Sequence, residues 1–446
     1  MSEASAPQGG KDAPGGVMGL IDWVDQRMPL IETWEYHLSR YWAPKNLNIW
    51  YLFGVLSVVV LVNQLLTGIW LTMSYVPSGE RAFASVEYIM RDVEFGWLLR
   101  YLHSTGASAF FIVVYLHMFR GMMYGSYRKP RELIWLFGMA IFLVLMAEGF
   151  MGYLLPWGNM SYWGAQVIVS LVGAIPVVGP DLMTWVRGDF LMSEITLNRF
   201  FALHVVALPL MLVMLVFLHI VALHHVGSNN PDGVDVKKYK DENGKPLDTI
   251  AFHPYYTIGH DLPAIAIFLF VFLGIVFFAP EMGGYFLEPP NFAEADPLKT
   301  PEHIAPVWYY TPFYAMLRAA TYPLLGLDAK FWGFVVMVGA IVLPAVLPWL
   351  DRSPVKSIRY KGTLSKVFLG IFVLSFLVLG WLGTQASTPT YTLMAQIGTA
   401  AYFAYFVLMP WYTQVETCKE VPERVPNPDG SVPPIPANAV ASGGKA

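Results

Sequence analysis

The fold of this chain is decided by the stretch Arg100-Tyr-Leu-His-Ser-Thr-Gly-Ala-Ser-Ala-Phe-Phe-Ile-Val-Val-Tyr-Leu-His-Met-Phe-Arg120. It is apolar enough to cross a membrane, yet it carries two histidines and an arginine near each end. The step from His103 to His117 is 14 residues. On an α-helix this is a rise of about 21 Å and a rotation about 40° short of whole turns. Both imidazoles therefore lie on one face, one toward each side of a hydrocarbon core about 30 Å thick. A lone histidine in such a helix is often a packing residue, but two on one face predict a helix that holds two charged or metallic groups.

The composition is that of a membrane protein. Of 446 residues, 55% are hydrophobic and only 13% are charged, and the mean hydropathy is +0.48. These values lie far outside the globular norm. The net charge of -4 argues against a nucleic-acid partner. The single cysteine, Cys418, excludes a disulfide framework, a Cys-ligated cluster and a haem attached through C-x-x-C-H.

Hydropathy predicts an all-α integral membrane protein with eight transmembrane helices. The predicted spans are 47–75, 97–123, 132–155, 198–223, 262–280, 332–350, 365–384 and 391–412. An even number of spans places both termini on one side. Most of the 28 Lys and Arg residues follow the even-numbered spans or lie near the termini, so we expect both termini in the cytoplasm.

The segments outside the spans differ in character. Residues 20–40 are amphipathic and predict a helix on the membrane surface. The loops 76–96, 156–197 and 281–331 are long, poor in charge and rich in Pro, Gly and aromatics, and all are expected on the outer side, where they can cap a cavity. The first ~18 and last ~30 residues are polar and are expected to be weakly ordered.

Spans 1 to 4 contain an internal repeat. A span with two glycines is followed by a span with two histidines, and this happens twice, at Gly54 and Gly68, His103 and His117, Gly138 and Gly152, and His204 and His219. The spacing is 14 residues in the first three pairs and 15 in the last. Glycines also occur in membrane helices simply because they allow close packing. Four helices with almost one spacing instead favour a parallel repeat about an axis along the membrane normal.

Spans 2 and 4 run in the same direction. His103 therefore matches His204 in depth, and His117 matches His219, which gives two bis-histidine sites stacked across the bilayer. Two axial histidines suit a haem that only transfers electrons, because no coordination position stays open for a substrate. The glycines at the same depths would leave room for a flat macrocycle.

The arginines next to these histidines support the haem hypothesis. Arg100 and Arg120 lie about one helical turn from His103 and His117 and can pair with propionates, which are costly to bury alone. Zinc is the competing metal. It prefers tetrahedral sites with Cys or carboxylate ligands, and nothing acidic lies near the histidines on their own helices, so haem is favoured.

Several strings carry a family resemblance. They are Ala84-Ser-Val-Glu-Tyr-Ile-Met-Arg91, Leu99-Arg-Tyr-Leu-His103, Phe119-Arg-Gly121, Tyr124-Gly-Ser-Tyr127, Gly152-Tyr-Leu-Leu-Pro-Trp-Gly158, Ser161-Tyr-Trp-Gly-Ala165, Thr196-Leu-Asn-Arg-Phe-Phe201 and Thr300-Pro-Glu-His-Ile-Ala-Pro-Val-Trp-Tyr309. Over residues 20–413 the chain resembles the cytochrome b subunits of proteobacterial cytochrome bc1 complexes.

The resemblance implies a function and a set of partners. Quinol would be oxidised at an outer, periplasmic site with bifurcated electron transfer, and electrons would cross the membrane through two non-covalent b-type haems to reduce quinone at an inner site. This would generate a proton gradient across the bacterial inner membrane. The implied partners are a Rieske iron–sulfur subunit, a cytochrome c1 subunit, a second copy of the complex in a homodimer, ubiquinol and ubiquinone, and lipids.

The resemblance also assigns the haem sites. It gives His103 and His204 to the outer haem and His117 and His219 to the inner haem, in agreement with the depths above. Arg100 matches a partner of an outer-haem propionate. Three further positions match the surroundings of the inner haem: Arg120, Ser126 and Trp50.

The outer quinol site resembles a cavity formed by Tyr153, Gly164 and the turn Pro306-Val-Trp-Tyr309, in which Trp308 and Tyr309 follow Val307. Most family members have Glu at the position of Val307, and that Glu is a proposed proton acceptor. Val307 cannot accept a proton, whereas span 3 carries Glu148, about 7 Å of helical rise from Tyr153. We therefore expect Glu148 to have taken over the proton transfer. The alternative is a protonated Glu148 that only hydrogen-bonds a neighbouring helix.

The inner quinone site is expected at the cytoplasmic ends of spans 4 and 5. His224, Ser228 and Asp261 match the family positions that bracket the quinone, and a His facing an Asp can serve both ring carbonyls. His260 falls where many bacterial members have lysine, so proton uptake there is an additional expectation. Without the resemblance, these would be read as solvated polar residues at a membrane edge.

The 15-residue step from His204 to His219 departs from the family's usual 14. At 15 residues the rotation is about 60° past whole turns, so the helix must adjust. Pro209, between the two ligands, is the expected place for a kink or a bulge.

The predicted organisation has four parts. They are a cytoplasmic tail and surface helix at 1–46, a di-haem four-helix bundle at 47–228, four further helices at 229–413 with the quinol-site loop 281–331, and a polar cytoplasmic tail at 414–446. A proton-coupled transporter built on parallel repeats is the alternative function. A membrane-anchor cytochrome b of a dehydrogenase would leave the long outer loops and the Pro-Val-Trp-Tyr turn unexplained.

Overall fold

The computed structural model describes residues 16–441, so the polar ends at 1–15 and 442–446 lie outside the described residues. The first elements are two short helices, α1 (Val17–Asp25) and α2 (Leu30–Trp34), followed by a π turn at Glu35–Ser39 and strand β1 (Trp42–Pro44). Large apolar side chains of both helices are exposed, as expected of helices on a membrane surface.

The next elements form the first half of the membrane domain. A 3-10 turn at Ile49–Tyr51 begins the first span, and the helices that follow are α3 (Leu52–Thr72), α4 (Ala82–Arg91), α5 (Gly96–Tyr124), α6 (Glu132–Leu154), α7 (Asn159–Val172), α8 (Gly179–Arg187), α9 (Glu194–Ala202) and, after a π turn at Leu203–Ala207, α10 (Leu208–Val226). Helix α3 packs on α5, and α6 packs on α10. These are the four spans of the predicted bundle.

The second half is also helical, with minor strands. Its elements are β2 (Tyr239–Lys240), β3 (Thr249–Ala251), a π segment at Phe252–Asp261, α11 (Leu262–Phe278), 3-10 turns at Met282–Gly284, Pro289–Phe292 and Trp308–Tyr310, α12 (Thr311–Ala319), α13 (Ala329–Val342), a 3-10 turn at Leu343–Val346, α14 (Leu347–Leu350), α15 (Thr363–Gly383), α16 (Pro389–Val407), α17 (Met409–Val415) and β4 (Val440–Ala441). Strand β1 pairs antiparallel with β3, and β2 pairs with β4.

The prediction of eight spans is confirmed, with one qualification of shape. Within residues 16–441, seven helical stretches are long and apolar enough to cross a membrane, and the bent pair α16–α17 makes an eighth if it is one span. The two parts of this pair meet at 57°. One extended apolar cluster includes residues of both halves, so the spans pack as one body.

The fourth span contains the irregularity expected near Pro209. The π turn at Leu203–Ala207 includes His204 and ends two residues before Pro209. Because proline has no N–H, the carbonyl of Val205 cannot receive its usual α-helical hydrogen bond. A π turn takes up one extra residue. With one residue taken up by the π turn, the 15-residue step from His204 to His219 gives the rotation of a 14-residue step in a regular α-helix. His219 therefore lies on the same face as His204.

The C-terminal segment differs from its prediction. The last ~30 residues were expected to be weakly ordered, but residues 416–441 are described and their first part is anchored. Arg424 is buried and places Nε and Nη2 each 3.1 Å from the carboxylate of Asp248, and Val425 beside it is fully buried. Composition missed this because the partner of Arg424 lies in a loop 176 residues earlier.

Candidate functional site

Each glycine of the repeat faces one histidine at its own depth. A Cβ built on Gly54 would lie 3.3 Å from Cε1 of His117, one on Gly68 would lie 3.2 Å from that of His103, and one on Gly138 would lie 3.4 Å from that of His219. At Gly152 an added Cβ would overlap the ring of His204. The pairing predicted by spacing is therefore present in three dimensions, and each glycine leaves the space that an imidazole occupies.

The four imidazoles form two pairs. The ring centroids of His103 and His204 are 6.2 Å apart with the planes at 87°, and those of His117 and His219 are 6.3 Å apart at 66°. A metal–imidazole nitrogen bond is about 2 Å long, so two rings on opposite sides of one metal have centroids ~6 Å apart. Both pairs fit axial ligation of one iron each.

Hydrogen bonds fix which nitrogen of the outer pair is free. Thr67 Oγ1 lies 2.6 Å from the carbonyl of Asn63, to which it donates, and 2.9 Å from Nδ1 of His103, from which it accepts. Nδ1 of His204 lies 3.0 Å from the carbonyl oxygen of Glu148, which can only accept. In both rings Nδ1 therefore carries the hydrogen and Nε2 is available to a metal.

The predicted arginines lie at the two pairs. Arg100 lines the same cavity as His103. Arg120 donates from Nη1 to Ser126 Oγ at 3.1 Å and stands 4.7 Å from the ring centroid of Tyr51, while its buried Nε has no hydrogen-bond partner among the described residues. A buried cationic donor without a partner suits an anionic group such as a propionate. Trp50 packs edge-on against Phe119 one residue before Arg120.

The competing zinc site lacks ligands. Across residues 16–441, no group of three or more His, Cys, Asp or Glu side chains is arranged to hold a metal ion. A protein zinc site normally needs at least three such ligands. Paired histidines flanked by glycines fit haem better.

One cavity of about 550 Å³ joins the outer histidine pair to the predicted quinol site. It is lined by groups from both: Gly68, Arg100, His103, Glu148, Gly152, Tyr153, His204, Val307 and Tyr309. Its walls are mostly apolar side chains with a few polar groups, as is common in binding sites for organic ligands. A ligand near Tyr153 would therefore share one cavity with the outer histidine pair.

The turn that contains Val307 is packed tightly onto α5. Val307 is only 3% exposed, and Tyr309 stacks on Phe111 with centroids 3.9 Å apart. Trp308 donates its indole N–H to Ser108 Oγ at 3.1 Å. Half-buried Pro306 precedes them. Of these side chains, those of Val307 and Tyr309 reach the cavity wall, whereas those of Pro306 and Trp308 do not.

The remaining outer-site residues lie on α6 and α7. Gly164 of α7 would place a Cβ 3.8 Å from Cε1 of Tyr153, an ordinary contact, so only a larger side chain would intrude there. Glu148 lines the cavity, with Oε1 3.1 Å from Nδ1 of His204 and a buried Oε2 that has no hydrogen-bond partner among the described residues. Glu148 thus contacts a predicted iron ligand, which its sequence position did not reveal.

At the predicted inner quinone site, a tyrosine contacts two of the expected residues. The ring of Tyr41 stacks on His224 at 4.6 Å, and its hydroxyl accepts from the backbone N–H of Ser228 at 3.3 Å. Burial raises the pKa of Tyr41. His260 and Asp261 end the π segment that leads into α11.

A chain of rings links the two sides of this inner site. Tyr41 packs on Phe252 at 6.0 Å, Phe252 on Tyr256 at 6.0 Å, and Tyr256 on His260 at 4.9 Å. The hydroxyl of Tyr256 donates to the carbonyl of Pro44 at 2.6 Å. The β1–β3 pairing thus holds the N-terminal segment against the start of α11.

Sequence reasoning missed several residues that contact predicted site groups. Among them are Thr67 at His103, Tyr41 at His224, and Glu288 and Asn291 at the hydroxyl of Tyr153. Thr67 directly precedes Gly68, and this adjacency was an available signal. Tyr41, Glu288 and Asn291 meet their partners only through loops, so no helical spacing could identify them.

Comparisons with known proteins agree with this geometry. Residues 38–227 match the family model described as "Cytochrome b/b6/petB", and residues 294–403 match "Cytochrome b(C-terminal)/b6/petD". The cytochrome b of Allochromatium vinosum is 62% identical over 409 residues, which cover 91% of this chain and 98% of that protein. The cytochrome b of Rhodospirillum rubrum is 46% identical over 409 residues, covering 92% and 96%.

A solved structure is similar as well. A chain of the structure titled "Hyperthermophilic respiratory Complex III" superposes with a TM-score of 0.81 at 38% identity, and the match covers 89% of this chain and 99% of that one. Identity of this extent over nearly full-length relatives establishes the family. The chain belongs to the cytochrome b family.

Proposed function

We propose that this chain is the di-haem cytochrome b of a bc1-type quinol:cytochrome c oxidoreductase, with quinol oxidised on the outer side and quinone reduced on the inner side. As a cytochrome b, it binds haem. The observation that carries the proposal is the pair of bis-histidine sites, each bordered by two glycines, with the outer one opening into the cavity of Tyr153.

The chain's own side chains would hold both haems without covalent bonds. His103 and His204 would hold the outer haem, and His117 and His219 the inner one. When bound, the two haems supply one-electron carriers at two depths of the membrane. Arg100 and Arg120 would neutralise propionates, and Ser126, through its hydrogen bond, orients Arg120.

On the outer side, the cavity would receive the quinol head group against Tyr153 and Tyr309. Its mostly apolar wall suits an apolar ring, and Gly164 adds no side chain beside Tyr153. Val307 offers no acceptor, so we propose that Glu148 accepts a quinol proton on the side of the cavity nearer His204. Two observations support this role: Glu148 lies in the cavity wall, and its buried Oε2 has no hydrogen-bond partner within residues 16–441.

On the inner side, His224, Ser228 and Asp261 would bracket the quinone, and His260 would aid proton uptake. Tyr41 would keep the His224 ring in place by stacking on it. Protons would then be released outside and taken up inside, which charges the membrane.

The proposed setting is the bacterial inner membrane with both termini in the cytoplasm. The partners are a Rieske iron–sulfur subunit, a cytochrome c1 subunit and a second complex in a homodimer, with ubiquinol as substrate, ubiquinone as product and lipids around the spans. The similarity to a chain of a respiratory Complex III supports membership of a multisubunit complex.

A redox titration of the assembled complex in membranes tests the proposal. We expect two b-type α-bands that titrate at two separate potentials, and removal of an outer ligand by His204→Leu should abolish one of them. A complex with one b haem or none would refute the di-haem assignment, and a proton-coupled transporter would show none. The same spectra accompany turnover measurements on Glu148→Gln, in which normal turnover with normal haems would end the proposed role of Glu148.

A further inference from the structure

Glu288 forms a closed hydrogen-bonded group with Tyr153, near the end of α6, and with Asn291 of its own loop. Its Oε2 accepts from the hydroxyl of Tyr153 at 3.0 Å and from Nδ2 of Asn291 at 3.2 Å. Nδ2 of Asn291 also lies 2.8 Å from the hydroxyl oxygen of Tyr153. Glu288 is therefore directly coupled to a residue of the proposed quinol site, although it lies in the loop between α11 and α12.

The loop around this group is fixed in place. Oδ1 of Asn291 accepts from the backbone N–H of Ser161 on α7 at 2.7 Å. The backbone of the same loop bonds back to the segment after α6, with Ala295 N–H donating to the carbonyl of Trp157 at 3.0 Å. A side chain held from several directions keeps one geometry, as proton transfer between two oxygens requires.

Glu288 meets the cavity through Tyr153 and Asn291, and of these two only the phenol of Tyr153 can pass on a proton. Tyr153 and Asn291 line the cavity, as do Phe286 and Leu287 next to Glu288 in sequence, but Glu288 itself does not. Glu288 is partly exposed on the surface of the loop. The phenol of Tyr153 thus stands between the cavity on one side and a half-buried glutamate of the outer loop on the other.

The electrostatic surroundings suit a proton acceptor near neutral pH. Burial raises the pKa of Glu288 to about 7, while the hydrogen bonds from its own backbone, Tyr153 and Asn291 act in the opposite direction. The titratable side chains that face it are the phenols of Tyr153 on α6 and Tyr309 in the Trp308–Tyr310 turn. A general base is most effective when its pKa lies close to the working pH.

We propose that Glu288 carries a quinol proton from the outer cavity to the outer face of the membrane, with Tyr153 as the intermediate donor. This rests on the proposed quinol oxidation. The quinol O–H bond breaks as its proton passes to the Tyr153 oxygen, while the phenol's own proton passes to Glu288 Oε2. In the same step one electron leaves the quinol for the iron–sulfur partner. The phenol gains one proton as it gives up another and is therefore unchanged, while the carboxylate becomes a carboxylic acid, which then loses its proton to outer water.

This assignment complements the one proposed for Glu148. Quinol releases two protons, and the two carboxyl groups have different partners: Glu148 lies beside His204, and Glu288 accepts from Tyr153. Val307, which also lines the cavity, provides no acceptor. The acceptor that most family members place in the Pro-Glu-Trp-Tyr turn would here be supplied from the segment before Pro289.

The test compares quinol:cytochrome c turnover of the whole complex in Glu288→Gln and in Glu302→Gln, whose carboxylate is exposed on the same loop. In the wild type, turnover should rise as the pH increases through about 7, because the acceptor must be ionised. Glu288→Gln should lower turnover at least tenfold at pH 8 and remove that rise, with both haem bands intact. Glu302→Gln should keep the wild-type rate and profile.

A double variant separates a relay from independent effects. If Tyr153 and Glu288 act in sequence, Tyr153→Phe combined with Glu288→Gln should be within about twofold of Tyr153→Phe alone. A wild-type pH profile in Glu288→Gln, an equal slowing at every pH, or loss of haem would each overturn the proposal. Absence of two b haems in the wild type would instead refute the proposed function itself.

Discussion

At the scale of single residues, Gly152 sets the tightest constraint in the proposed outer haem site. A methyl group there would overlap the ring of His204, whereas at Gly54, Gly68 and Gly138 the nearest ring atom would be 3.2–3.4 Å away. Helical spacing alone identified all four glycines. It could not rank them, because the clearance depends on the rotamer of a histidine on another helix.

Gly152→Ala should therefore remove the outer haem selectively. The added methyl displaces the His204 ring, so we expect loss of more than half of the outer haem's b signal while the inner haem's signal remains. Redox difference spectra per assembled complex measure this. Gly274→Ala on α11, where a Cβ would have nothing within 4 Å, is the matched control and should keep both signals. Full content of both haems in Gly152→Ala would show that the outer haem site tolerates a methyl group at this position.

Other single-residue contacts were beyond the reach of sequence. Thr67 and the Glu148 carbonyl fix the tautomers of His103 and His204 across helix interfaces. Glu288 meets Tyr153 across 135 residues of chain. Periodicity reports which residues share a face of one helix, and it contains no information about which loop residue closes on that face.

At the scale of elements, the fourth span shows how far local rules extend. The 15-residue step and Pro209 together predicted a distortion, and the π turn at Leu203–Ala207 is that distortion. The sequence does not distinguish a kink from a bulge, because either distortion accommodates the N–H that Pro209 lacks. The need to bring His219 onto the face of His204 explains the bulge, which alone changes the register.

If the π turn stores one extra residue, deletion of that residue should be tolerated. Removing Val206, which lies in the turn and is 55% exposed, should give a regular helix that keeps both haems. Removing Val62, which is 49% exposed in the regular helix α3 between Gly54 and Gly68, rotates one glycine by about 100° relative to the other and should cost at least one haem. Haem content per complex distinguishes the two deletions. Equal loss of haem in both variants would show that the π turn does not take up one extra residue.

At the scale of the whole molecule, hydropathy predicted the spans but not how the polar segments outside them come together. The N-terminal segment, the 229–250 connector and the C-terminal segment meet at Asp248, whose carboxylate lies 2.9 Å from Lys45 Nζ and 3.1 Å from Arg424 Nη2. Three polar stretches that look independent in the sequence form one structure, because charges on each are satisfied by the others.

This cluster predicts that Asp248 holds the C-terminal segment in place. Burial acts to raise the pKa of Asp248, but hydrogen bonds from Arg424 and Lys45 bring it below its usual value. Its contribution to stability is therefore present above the unfolded pKa near 3.8 and is lost as the pH falls through the lower folded value. At neutral pH, Asp248→Asn leaves the Arg424 guanidinium buried without a negatively charged partner, and loss of one charge of a buried pair costs about 3–5 kcal/mol.

Trypsin can measure that release, because Arg424 is itself a cleavage site and is only 7% exposed. In membranes at neutral pH, cleavage after Arg424 should be at least tenfold faster in Asp248→Asn than in the wild type. Glu423→Gln removes the neighbouring ion pair between Glu423 and Lys238, in which the side chain of Lys238 is 45% exposed and that of Glu423 is 58% exposed. Such exposed pairs contribute under about 1 kcal/mol to stability. This variant should therefore be cleaved at the wild-type rate. If Asp248→Asn is cleaved no faster than Glu423→Gln, the segment is held by its apolar contacts around Val425 and not by the buried charges.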